Sequence, residues 1–145
     1  MEETFDFETS FGRILGVAQT AIFRHLSKHM KEAQLPITPE QFSVLSHLWR
    51  RDGLHQSELA VCTNRNRANV TRIIDILERE HIVERRDDAH DRRVFRIYLT
   101  PKGHAIKAEA AQCAKQTIEE ALAGLNAAEI ATCTKVLLQL TANLS

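Results

Sequence analysis

Cysteine is scarce in this chain: Cys62, Cys113 and Cys133 are an odd number, widely spaced, with no Cys-x-x-Cys pair. That argues against a secreted disulfide framework and a zinc knuckle, and predicts reduced thiols. Long apolar runs are missing too, since no stretch approaches the roughly 18 consecutive apolar residues that a membrane span needs. The acidic start Met1-Glu2-Glu3-Thr4 lacks the basic and apolar regions of a signal peptide, so a cytoplasmic protein without a membrane partner is expected. Enzyme motifs are absent: there is no Gly-rich phosphate loop, no Gly-x-Ser-x-Gly elbow and no His-Glu-x-x-His, and the histidines are scattered without paired carboxylates. No catalytic residue, cofactor or metal is therefore predicted.

Net charge is also lacking, with 19 basic and 19 acidic side chains. A balanced chain at first argues against a nucleic-acid partner, because phosphate neutralisation needs Lys and Arg. The distribution reverses that impression. Between Arg50 and Lys102 there are 12 basic against 9 acidic residues, and from Leu59 to Ile74 there is no carboxylate while Arg65, Arg67 and Arg72 are present. Much of the balancing acid lies near the N-terminus, in Glu2, Glu3, Asp6 and Glu8, in Glu32 and Glu40, and along the C-terminal helices.

What is present is a series of helical patterns in 145 residues, 43% of them hydrophobic, enough for one domain with a core. Phe11, Ile14, Leu15, Ala18, Ile22, Leu26 and Met30 recur at three- and four-residue steps, which predicts a long amphipathic helix ended by Leu35-Pro36-Ile37. Thr38-Pro39-Glu40-Gln41 is a capping box that starts a second helix to about Arg51, with Phe42, Leu45 and Trp49 as its buried edge. After an Asp52-Gly53 turn, a short helix runs through Ser57 towards Cys62. Asn66 then caps a helix to about Glu80 whose Val70, Ile73, Ile74 and Leu77 form one stripe. This is helix-turn-helix spacing.

Two β patterns follow. Phe95, Ile97 and Leu99 alternate with Val94, Arg96 and Tyr98, so the first set should face a core, and Ile82-Val83 supplies a short partner strand. The charged loop between them centres on Asp91-Arg92-Arg93, as a wing would. An Ala-rich helical stretch runs from Thr100-Pro101 to about Leu122. Asn126-x-x-Glu129 caps a last helix with an apolar stripe of Ile130, Cys133, Leu137, Leu140 and Leu144.

The expected fold is therefore mainly α with a small β wing: a winged helix-turn-helix lobe over residues 33–103 within a single domain of residues 1–145. Residues 5–32 and 104–145 are read as dimerisation helices, because their apolar faces have too little of one subunit to cover them. An isologous homodimer would bury both ends and space two reading heads for a pseudo-palindromic operator in double-stranded DNA.

The pattern resembles the MarR family of winged-helix transcription regulators over nearly the whole chain. The family's D-x-R-x-x-x-x-x-L-T, followed by Gly, appears as Asp91-Arg92-Arg93-Val94-Phe95-Arg96-Ile97-Tyr98-Leu99-Thr100-Pro101-Lys102-Gly103. Glu58-Leu59-Ala60 and Val70-Thr71-Arg72-Ile73-Ile74-Asp75-Ile76-Leu77-Glu78 match its helix-turn-helix. Thr63 and Arg65 depart from it at turn positions more often apolar, and His81 stands where a helix-ending Gly is usual. Arg65 could snorkel outward to a phosphate, or the turn could be strained or differently packed.

Physically, Arg67, Ala68, Asn69, Thr71 and Arg72 occupy the part of the recognition helix that can enter a major groove, and Ser57 is placed for phosphate. Arg92 or Arg93 could insert into a minor groove; the resemblance favours Arg93, with Asp91 fixing the loop. It also implies a transcription regulator, read as a repressor released by a small ligand or by oxidation. The alternative is a winged protein-interaction module without DNA binding. His25 and His29, four residues apart, can hold a metal or an anionic ligand, though with no nearby carboxylate or cysteine pattern to complete a site the simpler reading is two partly buried helix residues with backbone or inter-subunit partners. The resemblance implies a small aromatic or phenolic ligand where the dimer helices meet the lobe, and Phe11, His25, His29, Phe42 and Trp49 are the candidates. Cys62 is a redox candidate beside the DNA-binding elements, with a plain packing role as the other reading.

Overall fold

The computed structural model describes residue 4 and residues 6–145; the acids Glu2 and Glu3, and the first residue of the expected segment 5–32, lie outside the described residues. The element order is α1 (Phe11–Glu32), α2 (Pro39–Arg50), β1 (Leu54–His55), α3 (Gln56–Cys62), α4 (Arg67–Arg79), β2 (Val83–Asp87), β3 (Phe95–Leu99), α5 (Pro101–Ala105), α6 (Lys107–Ala121) and α7 (Ala127–Asn143). The protein is mainly α with a small β wing.

Local chemistry sets most of these boundaries. The Ser10 side chain accepts the Arg13 amide at the start of α1. Thr38 and Gln41 exchange the two hydrogen bonds of the expected capping box, at 3.2 and 3.0 Å, with Pro39 in the first turn. Asn66 caps α4 by accepting the Asn69 amide at 2.7 Å, and Asn126 with Glu129 form the box of α7. These contacts satisfy amides that have no carbonyl partner in the first turn.

Three helices end with a non-glycine residue in the left-handed region. Gln34, Asn64 and His81 have φ of 58°, 53° and 59°. Each is followed by an amide that reaches back across the last turn: Leu35 to Met30, Arg65 to Ala60, and Ile82 to Leu77, at 2.9 to 3.0 Å. This is the six-to-one bond of a Schellman cap, a position that favours glycine. The helix-turn-helix corner is therefore an ordinary αL cap at Asn64. Thr63 supports it by donating its hydroxyl to the Leu59 carbonyl at 2.6 Å.

The core lies where α2, α3, α4 and the sheet meet the end of α1. Val44, Leu45, Leu48, Leu59, Ile82 and Ile97 are at most 1% exposed, as is the whole α4 stripe of Val70, Ile73, Ile74 and Leu77. At about 1.5–3 kcal/mol for each fully buried large apolar side chain, this cluster is what positions the recognition helix. The buried face of α2 is Gln41, Val44, Leu45 and Leu48. Phe42 and Trp49, expected beside Leu45 on the buried edge, are only half-buried and pack edge-on to each other at 5.8 Å. They lie on the flank of the helix because residues 44, 45 and 48 take its centre.

The sheet has three antiparallel strands in the order β1-β3-β2. The partner of β3 extends over five residues, Val83 to Asp87, paired from Val83 with Leu99 to Asp87 with Phe95. On the other side β1 pairs Leu54 with Ile97 and His55 with Arg96. Ile97 and Leu99 face the core, as the alternation predicts, but Phe95 is 43% exposed. It sits at the tip end of the hairpin, beyond the reach of the core.

The glycine of the wing pattern has a steric reason. A Cβ on Gly103 would stand 2.2 Å from the Ile82 carbonyl oxygen, so no side chain fits. Thr100 holds that crossing by accepting the Gly103 amide at 3.1 Å and donating to the His81 carbonyl at 2.5 Å. The expected Ala-rich helical stretch to about Leu122 is two helices, α5 and α6, separated at Ile106. Helix α6 lies along α1, and its buried residues are Ala110, Cys113 and Thr117. In α7 no residue is buried.

Candidate nucleic-acid interface

Helix α4 presents its apolar stripe inward and Arg67, Ala68, Thr71, Arg72, Asp75 and Arg79 outward. Between its first turns and the wing runs a groove with a cavity of about 210 Å³, lined by Gln56, Ser57, Arg67, Thr71, Arg93, Val94 and Phe95. Four residues singled out from the sequence, Ser57, Arg67, Thr71 and Arg93, thus come together from α3, α4 and the wing. Gln56, Val94 and Phe95 were not singled out; the exposure of Phe95 is the signal that only the structure supplies.

The basic groups divide into those held by the protein and those left to solvent. Arg85 on β2 is a strut: it bonds Asp75 at 2.6 Å and Glu78 at 2.9 Å, and its side chain is 17% exposed. Gln56 joins this network by donating to Thr71 Oγ1 at 2.6 Å. The wing is thereby braced against the recognition helix. Arg72 pairs with Glu40 on α2 at 3.1 Å, and Arg65 donates to Asn69 Oδ1 at 3.2 Å. Arg65 is half-buried and its Nε is buried with no hydrogen-bond partner, so it lies folded onto the turn rather than reaching outward. Arg67 and Arg92 are exposed and form no ion pair with a described residue.

At the wing tip, Asp91 accepts the Arg93 amide at 3.0 Å. The same carboxylate also takes the Arg93 guanidinium at 3.1 Å, which keeps its carboxyl below the usual carboxylate value. The Arg93 side chain remains 90% exposed. An ion pair so open to water is weak, so the guanidinium is not tied to Asp91.

The residue that anchors the wing at its base is Asp88, which the sequence pattern does not reveal. Its side chain is 5% exposed, and Oδ2 takes His55 Nε2 at 2.7 Å and Arg96 Nε at 2.8 Å. Oδ1 accepts the His90 and Asp91 amides at 2.8 and 3.1 Å. One carboxylate so gathers β1, β3 and the loop. The His55 hydrogen bond, followed by the His90 amide, holds its carboxyl far below the usual carboxylate value.

The five ligand candidates are not gathered. Phe11 is 57% exposed at the start of α1, fourteen residues and about 21 Å along the helix from His25. Trp49 donates its indole N–H to the Gly103 carbonyl at 3.0 Å. Phe42 lines an apolar cleft of about 290 Å³ between α1, α2 and α6, together with Ile22, Phe23, Leu26, Ala114 and Ile118. His25 and His29 meet Glu120 of α6 instead. Cys62 is exposed at the end of α3, Cys133 is exposed on α7, and Cys113 is buried, where desolvation raises its thiol above the usual value.

The architecture is that of a winged helix-turn-helix protein. A sequence model described as the MarR family matches residues 37–95, from the lead-in to α2 to the start of β3. The chain is 29% identical over 140 residues to the uncharacterized HTH-type transcriptional regulator YsmB of Bacillus subtilis, covering 97% of this chain and 92% of that one. The transcriptional regulator PA3341 superposes with a TM-score of 0.79 at 33% identity, over 93% of this chain and 98% of the other. A mutant MarR of Escherichia coli, complexed with operator DNA, superposes with a TM-score of 0.86 at 26% identity over 96% and 99% of the two chains. The protein belongs to the MarR family.

Proposed function

We propose that this protein is a sequence-specific DNA-binding transcription regulator that acts as a homodimeric repressor on a pseudo-palindromic operator. The observation that carries the reading is the groove between α4 and the wing, where Ser57, Arg67, Thr71 and Arg93 converge. The similar fold of the Escherichia coli protein in complex with operator DNA supports it. Arg67 enters the major groove with α4, and Arg93, with Arg92 beside it, reaches the adjacent minor groove. Ser57 takes a phosphate. Since its relatives are described as transcriptional regulators, we read it as a binding protein and not an enzyme. Among the described residues no helix is long and apolar enough to cross a membrane.

Dimerisation is inferred from the ends of the chain. Phe11, Ile14 and Val17 are 54 to 57% exposed, and no residue of α7 is buried. A second copy is the partner whose own ends need the same cover. Release by a small aromatic ligand fits the apolar cleft lined by Phe42 better than the five candidates taken together. Such a ligand must bind the form with misplaced heads more tightly than the DNA-competent form. Release through Cys62 would need an oxidant to reach its exposed thiol.

A fluorescence-anisotropy titration of labelled promoter DNA against salt tests the reading. Specific binding should weaken steeply, with a log–log slope of about 0.9 per phosphate contacted. Affinity that does not distinguish the promoter from random DNA, or that ignores salt, would leave the protein-interaction module as the better account.

A further inference from the structure

Away from the groove, α1 and α6 bring together three groups able to ligate a metal. His25 and His29, about one turn apart on α1, both place Nε2 at 3.0 Å from the same oxygen, Oε2 of Glu120. The three ligand atoms lie within 4.8 Å of one another. From the sequence the histidine pair looks incomplete because its carboxylate comes 91 residues after His29.

We propose that His25, His29 and Glu120 form a binding site for a divalent transition metal, Zn2+ foremost, with a fourth coordination position open to solvent. Two imidazoles and one carboxylate make up the three-ligand set of an open zinc site. Tetrahedral bonds of about 2.0–2.1 Å place neighbouring donor atoms roughly 3.3 Å apart. The Glu120 oxygen therefore has to retreat from each imidazole by about 0.3 Å, and the two Nε2 atoms, which lie within 4.8 Å of each other, reach the same spacing by adjustment of the exposed His25 side chain. Without a metal, Oε2 of Glu120 takes a hydrogen bond from His29 Nε2, whereas His25 Nε2, at the same 3.0 Å, lies outside hydrogen-bond geometry. A single dication between the three would engage both imidazoles and the carboxylate at once.

The surroundings already orient the ligands. Gln116 donates to the other Glu120 oxygen, Oε1, at 3.2 Å, which leaves Oε2 to face the histidines. Glu32 Oε2 lies 3.7 Å from His29 Nδ1, beyond hydrogen-bond distance, and adds negative charge beside that ring. His29 is 10% exposed and gives the site a fixed floor, while His25 at 52% and Glu120 at 41% leave it accessible. The open position adjoins a cavity of about 160 Å³ lined by Ala21, Ile22, His25, Thr117, Glu120 and Ala121. A bound ion would cross-link α1 to α6. The site stands or falls independently of the DNA-binding reading.

The test is a competition titration of Zn2+ between the untagged full-length protein and a chromophoric chelator, repeated with Co2+ for its visible absorption bands. The expected result is one ion per chain, with affinity lowered more than about 100-fold in Glu120→Gln and in His25→Ala, both at exposed positions, and about 10-fold in Gln116→Ala. His104→Ala, at an exposed histidine elsewhere, should bind as the parent does. Circular dichroism checks that each variant is folded. The proposal is overturned by absence of saturable binding to the parent. Affinity unchanged in Glu120→Gln and His25→Ala overturns it too, as does a thiolate-to-cobalt charge-transfer band, which would place the ion on a cysteine.

Discussion

In α4 every residue of the apolar stripe is at most 1% exposed, whereas in α7 no residue is buried, Leu138 is 67% exposed, and Leu144 just past its end is 82% exposed. Both helices are capped by an Asn side chain, and both have an apolar stripe. They differ only in what the rest of the chain offers to cover them. The winged lobe closes on itself around Leu45, Leu59, Ile74 and Ile97. The first half of α1 and all of α7 project beyond that core. A patterned stripe thus reports that a surface is meant to be covered, and the fold decides whether the cover is the same chain.

The largest effect is expected from removing residues 126–145. If α7 is covered by a second copy, light scattering should find monomers or aggregates in place of a dimer, since each large apolar side chain left in water forfeits about 1.5–3 kcal/mol. A soluble, well-folded dimer would break the contrast between the two regions.

Next in size is Arg93→Ala. It removes an exposed wing-tip guanidinium that the core does not use, so operator affinity should fall by about 1–3 kcal/mol while the oligomeric state holds. Unchanged affinity in a gel-shift titration would assign the minor groove to Arg92 or to neither. The same substitution at Arg85 would not be comparable, because that side chain braces β2 against Asp75 and Glu78.

This difference between two arginines eight residues apart shows where the sequence stops being legible. Capping boxes at Thr38 and Asn126, the Asn66 cap and the α4 stripe are local in the chain, and each matches the structure. Strand β1 is two residues long, too short for any periodicity. Asp88 reads as one acid among many in the wing loop until His55 and Arg96 close on it. Glu120 is likewise silent until α6 lies along α1. What is missed is contact between distant segments, and that is also what separates a structural arginine from a free one.

Asp88 gives a pH-dependent test of the lobe alone. Its carboxyl is held below its ordinary value in the folded protein. Its contribution is therefore present above that ordinary value, about 3.9 in unfolded chains, and is lost as pH falls below it. Thermal melts followed by circular dichroism should show Asp88→Asn less stable than the parent at neutral pH, with the two curves converging as the medium is acidified. A gap that stays constant down to strongly acidic pH would deny Asp88 its role as a charged anchor.

The smallest effect is expected at His81. Its φ of 59° places a side chain in the left-handed region, which costs a residue with a Cβ roughly 1–2 kcal/mol. Its ring is exposed, and its backbone carbonyl accepts from Thr100 whatever the side chain is. His81→Gly relieves the strain but adds freedom to the unfolded chain. The two together leave a net stabilisation of at most about 1 kcal/mol, seen as a small rise in melting temperature. Operator affinity should not move, because the groove residues are untouched. A loss of affinity would mean that the histidine itself meets DNA, and would extend the nucleic-acid surface from the groove to the C-terminal end of α4.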